Sequence, residues 1–394
     1  MNWIYAIIAI VLVLGGVLGA CAYLIWVERK LSARIQDRIG PNRVGPYGLL
    51  QSIADGMKFV LKEDVIPAGA DKILFVIAPA ISVFTTMLAF AVVPFGPVPE
   101  TGGGFPFGIA PYVDIGIVFI FAVTSLAVYG IILGGWSSNN KYSALGSLRS
   151  SAQVVSYEAP LALSVLGVGL LSASFNLDVI IRQQTVTPGL LGIFGWYIWC
   201  QPLACLIFFA SALAESNRLP FDLPECEQEL VGGYHTEYSA LKFAMFFLAE
   251  YTHVITVSFL TAILFFGGWH FPWIAERESA YFGADLIKVF VLLAKVSAII
   301  AFIMLIRWTL PRFRFDQLMN LTWKVFIPLS LCNLLGMMIV KQYDLTRWWM
   351  LPFSILLVIV ATGTSLFLAR FPPASAKASV GQAAGLPDAR MTKV

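Results

Sequence analysis

The chain has 394 residues, of which 58% are hydrophobic and only 12% are charged, and its mean hydropathy is +0.80. This composition leaves too little polar surface for a water-soluble globule and predicts a protein embedded in a lipid bilayer. The formal net charge of +3 is too small to indicate binding to nucleic acid.

The first predicted element is a membrane span over residues 3–27, which are almost all apolar. At about 25 residues this segment is longer than the hydrophobic part of a signal peptide, and no basic residue precedes it. It is followed at once by Glu28, Arg29 and Lys30. We therefore expect it to be retained as the first transmembrane helix.

The segment after the first span contains a turn and a short amphipathic helix. Glycine and proline recur between Arg38 and Tyr47, which predicts a fixed turn whose arginines could bind lipid headgroups, an acidic partner or a polar ligand. From Leu49 to Leu61, apolar residues recur at helical spacing with polar residues between them. About 13 residues cannot cross a bilayer, so we expect a helix that lies in the membrane interface, or alternatively one that packs on a partner.

Further apolar stretches are long enough to cross a bilayer, which predicts an all-α polytopic membrane protein with about nine transmembrane helices and a short interfacial amphipathic helix. After the first span, these stretches cover residues 73–93, 115–135, 152–173, 192–213, 243–266, 286–306, 325–340 and 350–369. We expect residues 1–370 to form a single transmembrane domain. The C-terminal tail, residues 371–394, is rich in alanine, serine, glycine and proline and is expected to be disordered.

Basic residues are distributed unequally between the two sides of the predicted helix bundle. Most of those in loops lie on one side, whereas Arg182, Arg277, Lys341 and Arg347 lie in loops on the other side. Loops rich in lysine and arginine usually stay in the cytoplasm. We therefore expect the N-terminus outside and the C-terminus inside the cell.

Ionisable residues inside the predicted spans are Glu158, Glu250, His253 and Lys295. A charge at the centre of a bilayer costs about 2.5 to 3.5 kcal/mol or more, so a partner, water or a function must offset this cost. Glu250 and His253 are three residues apart on one helix face, which is typical of a proton-relay pair. Pro160 is expected to break the helix beside Glu158 and to let water reach that carboxylate. The alternative for each residue is a structural ion pair between helices.

The predicted cytoplasmic loop over residues 214–239 is unusually acidic for that side of a membrane, since Arg218 is its one arginine. Crowded carboxylates titrate as a coupled set and can store and pass protons. A solvated acidic loop and a divalent-metal site are alternatives, although no closed set of metal ligands is evident. The acidic residues are Glu215, Asp222, Glu225, Glu227, Glu229 and Glu237.

The chain has no sequence motif for a redox centre of its own. Its five cysteines form no CxxC pair and its three histidines are scattered, whereas iron–sulfur clusters and structural zinc need ligands at short spacing. Neither GxGxxG nor GxxxxGKS/T occurs in the sequence. We therefore expect no cofactor to be bound by this chain.

Long motifs occur in a fixed order along the chain. They are ARIQDRIGPNRVGPYGLLQSIADGMKFVLKED after Glu28, then GWSSNNKYSALGSLRSSAQVVSYE ending at Glu158, then LAESNRLPFDLPECEQELVGGYHTEYSALKFAMFFLAEY ending at Tyr251. Together they closely resemble the family of quinone-channel membrane subunits, also called heel subunits, of the proton-pumping NADH:quinone oxidoreductases (respiratory complex I). The resemblance extends from Trp3 to about Ala369.

The resemblance implies a membrane subunit at the junction of the peripheral and membrane arms, in a bacterial inner membrane. It implies a quinone chamber formed by the first span, the interfacial helix and the sixth span, with loops 28–72 and 214–239 at the junction. Quinone is then the substrate, while NADH, FMN and iron–sulfur clusters belong to partner subunits, which also bind most of the quinone headgroup. This chain is not expected to be catalytic alone. Its implied partners are the other complex I subunits, quinone and lipid.

The resemblance also assigns roles to individual residues. Some family members carry a further acid in the third span, where this chain reads FAVTSLAVYG, so Ser125, Tyr129 or water would have to serve at that point. The implied quinone-channel residues are Arg29, Arg38, Arg43, Asp55 and Lys58. The implied proton-pathway residues are Glu158, Glu215, Asp222, Glu225, Glu227, Glu229, Glu237, Glu250 and His253.

Other interpretations of the sequence lead to different experiments. The membrane subunit of an energy-converting hydrogenase would share the fold and the acidic spans, but the complete GPNRVGPYGLLQ loop resembles the quinone-linked family more. A standalone cation/proton antiporter should function when it is expressed alone. A passive membrane anchor would have no need of buried carboxylates.

Overall fold

The computed structural model describes residues 3–98, 107–185, 189–222, 231–275 and 283–370. Throughout these ranges the chain forms helices joined by turns, and no strand longer than an isolated bridge is present in them. Eight helical segments of the described chain are long and apolar enough to cross a membrane. The all-α polytopic fold predicted from the sequence is therefore confirmed.

The first helix, α1, is Trp3–Ile35. At a rise of about 1.5 Å per residue it is about 50 Å long, well beyond the hydrocarbon thickness of about 30 Å. Its last turns, which carry Glu28 and Arg29, can therefore lie at the membrane surface while its apolar part spans the bilayer.

The short helix α2, Gln51–Leu61, lies against α1. The Ser52 hydroxyl donates a hydrogen bond to the carbonyl oxygen of Ala22 on α1, at 2.6 Å. No residue of α2 is buried, and its apolar residues Ile53 and Met57 are exposed. This helix therefore presents its apolar face outward, as expected for a helix in the membrane interface.

The second and third spans pack closely on each other. The second comprises α3, Lys72–Leu88, and a 3₁₀ turn, Ala89–Ala91, and the third comprises α4, Gly116–Ser125, and α5, Ala127–Ser137. A Cβ atom at Gly130 of α5 would lie 2.1 Å from the Ser82 hydroxyl oxygen. Glycine at this position therefore permits the close approach of α5 to α3.

The fourth span is the long helix α6, Lys141–Ser172, which continues through Pro160. The predicted helix break beside Glu158 is therefore wrong. A proline ring fixes φ near the helical value, and its missing N–H leaves one carbonyl unpaired, which a membrane helix can satisfy through its neighbours. Glu158 consequently lies on a continuous helix.

The fifth predicted span, residues 192–213, is not a continuous helix. After α7, Leu177–Gln184, and a 3₁₀ segment, Gly189–Gly195, the chain forms the single turn α8, Tyr197–Cys200, and then α9, Pro202–Glu215. The break falls at Gln201, directly before Pro202, because proline disfavours helical backbone in the residue before it. The apolar helix α9 has only 14 residues.

The sixth span, α10, Ala240–Phe265, is the central helix of the bundle, and 83% of its most apolar window is buried. It contacts α1, α3, α9 and the seventh span, α11, which is Ala284–Thr309. Aromatic rings fill the core around it, as where Phe95 meets Phe259 edge to face at a centroid distance of 5.1 Å. The remaining helices lie at the edge of the bundle.

The last two spans are the least enclosed. The eighth span contains α12, Phe315–Leu321, a π-helical turn, Thr322–Phe326, and α13, Ile327–Gln342. After a 3₁₀ turn, Arg347–Trp349, the ninth apolar segment forms α14, Met350–Arg370. The predicted disordered tail, residues 371–394, lies outside the described residues.

Candidate functional site

A cavity of about 550 Å³ lies where one end of α1 meets α10, α11 and the segment after α9. The turn after α1 contributes to its wall through residues 38–41. Much of the lining is charged, unlike the rest of the bundle. The charged lining residues are Glu28, Arg29, Arg38, Arg218, Asp222, Glu250 and Arg307.

Glu28 is at the centre of this charged group, with its side chain 8% exposed. Its two carboxylate oxygens accept hydrogen bonds from Nη1 of Arg218 at 3.2 and 3.3 Å and from the Tyr251 hydroxyl at 2.6 Å. Arg307 donates to the same carboxylate. One carboxylate therefore joins α1 to α10, to α11 and to the segment that follows α9.

Arg218 lies in the segment after α9, and its guanidinium carbon stands 4.2 Å from the centre of the Tyr251 ring. Burial alone would disfavour its charged form, but the negative charges of Glu28, Tyr251 and Glu250 outweigh burial and raise the pKa of Arg218 above its ordinary value. Its positive charge is therefore permanent at any physiological pH. A permanent buried charge of this kind needs its carboxylate partner.

The residues predicted for the quinone channel fall into two groups. Arg29 and Arg38 line the cavity, and Arg29 forms an ion pair with Asp55 of α2 at 2.5 Å. Asp55 also accepts a hydrogen bond from Gln51, so it connects α2 to the cavity wall. Arg43 and Lys58 are exposed and do not belong to the lining.

A second polar contact lies deeper between α9 and α10. His253 Nε2 is 3.3 Å from Oε1 of Glu215, and both side chains are buried. The sequence suggested His253 as a partner of Glu250, which accepts a hydrogen bond from the Tyr234 hydroxyl at 3.1 Å. Sharing a helix face is therefore not what gives His253 its carboxylate, because the packing of α9 on α10 brings Glu215 to it.

The other predicted proton-pathway residues are placed as follows. Glu158 accepts a hydrogen bond from Ser125 at the end of α4, the residue predicted to stand in for a missing acid, whereas Tyr129 is exposed. Asp222 accepts a hydrogen bond from Arg312, and Glu237 accepts one from Asn140. Three further acids lie outside the described residues, namely Glu225, Glu227 and Glu229.

Lys295, the remaining charge inside a span, has a structural explanation. Its ammonium group donates to the carbonyl oxygens of Phe266, Gly268 and His270, at 2.7, 2.9 and 2.6 Å. These carbonyls lie just after α10, where helical backbone acceptors have no partners of their own. Lys295 therefore stabilises the end of α10.

Sequence reasoning missed four residues of the charged cavity, namely Glu28, Tyr251, Arg218 and Arg307. Glu28 and Arg307 each end an apolar run, which gave a usable signal, because opposite charges at one membrane depth can pair. A divalent-metal site finds no support among the described residues, where no group of three or more histidine, cysteine, aspartate or glutamate side chains could hold a metal.

The fold and the site define a polytopic membrane protein with a charged cavity at one end of the bundle. The family model described as NADH dehydrogenase matches residues 8–338. The chain is 48% identical over 340 residues to an NADH-quinone oxidoreductase subunit of Koribacter versatilis, covering 84% of this chain and 95% of that protein. It is 46% identical over 369 residues to "NADH-quinone oxidoreductase subunit 8" of Thermus thermophilus, covering 93% and 94%.

A third relative, an NADH-quinone oxidoreductase subunit of Thermomicrobium roseum, is 47% identical over 340 residues, covering 85% of this chain and 96% of that protein. The chain belongs to the NADH dehydrogenase family, in the branch whose members are named as this subunit of NADH-quinone oxidoreductase. The resemblance noted in the sequence is therefore confirmed.

Proposed function

We propose that this chain is the membrane subunit of a proton-translocating NADH:quinone oxidoreductase and that its charged cavity is part of the path by which quinone reaches the reaction site. Its partners are then the other subunits of that complex, which hold the NADH site, FMN and iron–sulfur clusters. The protein would lie in a bacterial inner membrane with its N-terminus outside, since basic loops favour the cytoplasmic side.

The observation that carries this proposal is the cavity around Glu28. Its volume of about 550 Å³ is in the range of small-molecule sites. Ile25, Phe247 and Trp308 give it apolar walls beside the arginines. Such a lining suits a molecule with an apolar tail and a polar head that has to leave the bilayer.

The charged lining also suits a coupling role. Four arginines and three acids line the cavity, and Arg218 and Arg307 are both bound by Glu28. A ligand that gains electrons and protons there would change the local charge, and low-dielectric surroundings make such a change act strongly on nearby ionisable groups. Glu250, which also lines the cavity, is the acid from which protons would redistribute towards α9.

The proposed proton pathway continues through the buried pair Glu215 and His253 and through Glu158. Imidazole and carboxylate at 3.3 Å can pass one proton between them, and the Ser125 hydroxyl can extend the contact at Glu158. Asp222, Glu225, Glu227, Glu229 and Glu237 would complete the pathway. This part of the proposal is supported by contacts at its separate members.

A bulky side chain in the cavity wall tests the quinone path. Ser32 lines the cavity, whereas Ile35, one helical turn later on α1, is exposed and does not. In the assembled complex, Ser32→Trp should lower quinone reduction while NADH oxidation by a soluble artificial acceptor continues. Ile35→Trp is the matched control and should leave both reactions unchanged. Equal quinone kinetics in the two variants would rule out this cavity as the path.

A further inference from the structure

An apolar groove of about 400 Å³ runs between α13 and α14, away from the charged cavity. It has one charged residue, Lys324, at one end, and Val325 and Val360 along its sides are exposed. The remaining lining residues are Pro328, Leu329, Cys332, Leu357, Ala361 and Thr364.

The two helices are in close contact at the other end of the groove. A Cβ atom at Gly336 would lie 2.1 Å from a ring carbon of Phe353, and the Ser354 hydroxyl donates to Asn333 at 3.5 Å. The groove therefore closes near the middle of the two helices and opens towards Lys324. It extends from Lys324 to Cys332 along α13, about 12 Å at the rise of an α-helix. This length is within the half-thickness of about 15 Å that one leaflet occupies.

The charge at the open end has no partner in the described part of the chain. Among those residues, no hydrogen bond or ion pair of the Lys324 ammonium is recorded. Lys324 lies on the π-helical turn Thr322–Phe326, next to the exposed ring of Trp323. Tryptophan and lysine side by side are typical of the level of lipid headgroups.

We propose that this groove binds an anionic phospholipid, with an acyl chain between α13 and α14 and the headgroup phosphate at Lys324. The groove reaches across one leaflet only, as one lipid does, whereas a transmembrane helix of another protein would need a surface that continues through both leaflets. The lipid belongs to the leaflet on the side of the basic loops, where Arg312 and Arg314 precede the same span. Because this site does not touch the charged cavity, the proposal is independent of the quinone path.

Photochemical labelling of the assembled complex tests the site. The probe is phosphatidylglycerol with a diazirine in its acyl chain, and phosphatidylcholine with the same chain is the comparison. We expect adducts at Leu329, Cys332 or Leu357, with about fivefold more labelling by the anionic lipid, since one surface lysine contributes roughly that factor. Lys324→Gln should abolish the preference. Lys341→Gln, at the opposite end of α13, should keep it.

A second pair of variants separates the groove from the charge. Ala361→Phe should fill the groove and remove labelling by both lipids, whereas Ile359→Phe, which lies outside the lining, should not. If Lys324→Gln fails to assemble, competition by unlabelled phosphatidylglycerol against unlabelled phosphatidylcholine on the wild-type complex decides the same question. Equal labelling by the two lipids, absence of adducts in the groove, or cross-linking of a photoreactive side chain at position 361 to a neighbouring subunit would each overturn the proposal.

Discussion

The ion pairs of Glu28 give the sharpest stability prediction. Glu28→Gln keeps the shape of the side chain but removes the charge that Arg218 and Arg307 share. The side chain of Arg218 is 15% exposed, so losing its partner leaves a buried charge, which costs about 3 to 5 kcal/mol. Arg307 is 39% exposed, and water can screen it, so its share is about 1 kcal/mol or less.

The reverse substitution should cost less. In Arg218→Gln the Glu28 carboxylate keeps the Tyr251 hydroxyl and Arg307, so it remains partly neutralised. In the double variant neither charge is stranded, and we expect a coupling energy of about 2 kcal/mol between the two sites, within the range for residues in direct contact. This asymmetry distinguishes a shared carboxylate from a simple pair.

The free energy of unfolding can be followed by titrating the purified chain in mixed micelles with sodium dodecyl sulfate. Asp64→Asn is the control, since Asp64 pairs with Lys242 at 2.7 Å but is 44% exposed, and its loss should cost about 1 kcal/mol or less. If Glu28→Gln cost no more than Asp64→Asn, or if the Glu28 and Arg218 effects were additive, the buried pair would not hold these helices together.

Three further predictions address topology, proton transfer and pH. A cysteine reagent that cannot cross membranes should not label a cysteine added to the C-terminal tail in sealed right-side-out vesicles, and labelling before lysis would reverse the proposed orientation. Glu158→Gln, or Gln at Glu225 and Glu227 together, should leave the complex assembled while quinone reduction and proton pumping fall together; wild-type pumping would make these acids structural. Burial raises the pKa of Tyr238 from 10.0 to about 12, although its hydrogen bond with Ser137 opposes the shift. The neutral phenol is thus favoured in the folded state, and stability should drop as the pH rises from about 10 to 12, a drop that Tyr238→Phe reduces.

Hydropathy predicted the spans well because the bilayer itself selects long apolar helices. The fifth segment shows the limit of counting apolar residues, since residues 192–213 are apolar enough but break at Gln201. Pro202 was visible in the sequence as the cause. Pro160 misled in the opposite direction, because a membrane helix tolerated it.

The candidate site was only partly predictable. The ion-pair partners of Glu28 lie 190 and 279 residues away along the chain, at Arg218 and Arg307. No local pattern encodes such pairs, because they depend on which ends of α1 and α11 meet in the folded bundle. The contact between Glu215 and His253 has the same origin, since it depends on how α9 packs on α10.

The contacts of each buried charge separate holding roles from transfer roles. Lys295 donates to three carbonyl groups, and Glu28 binds two guanidinium groups and a phenol. Neither group can exchange a proton without breaking several contacts at once, so both are suited to hold helices in place. Glu215 faces an imidazole, which can itself take up or release a proton. Mobile protons in this bundle should therefore be sought at Glu215 and His253 before Glu28.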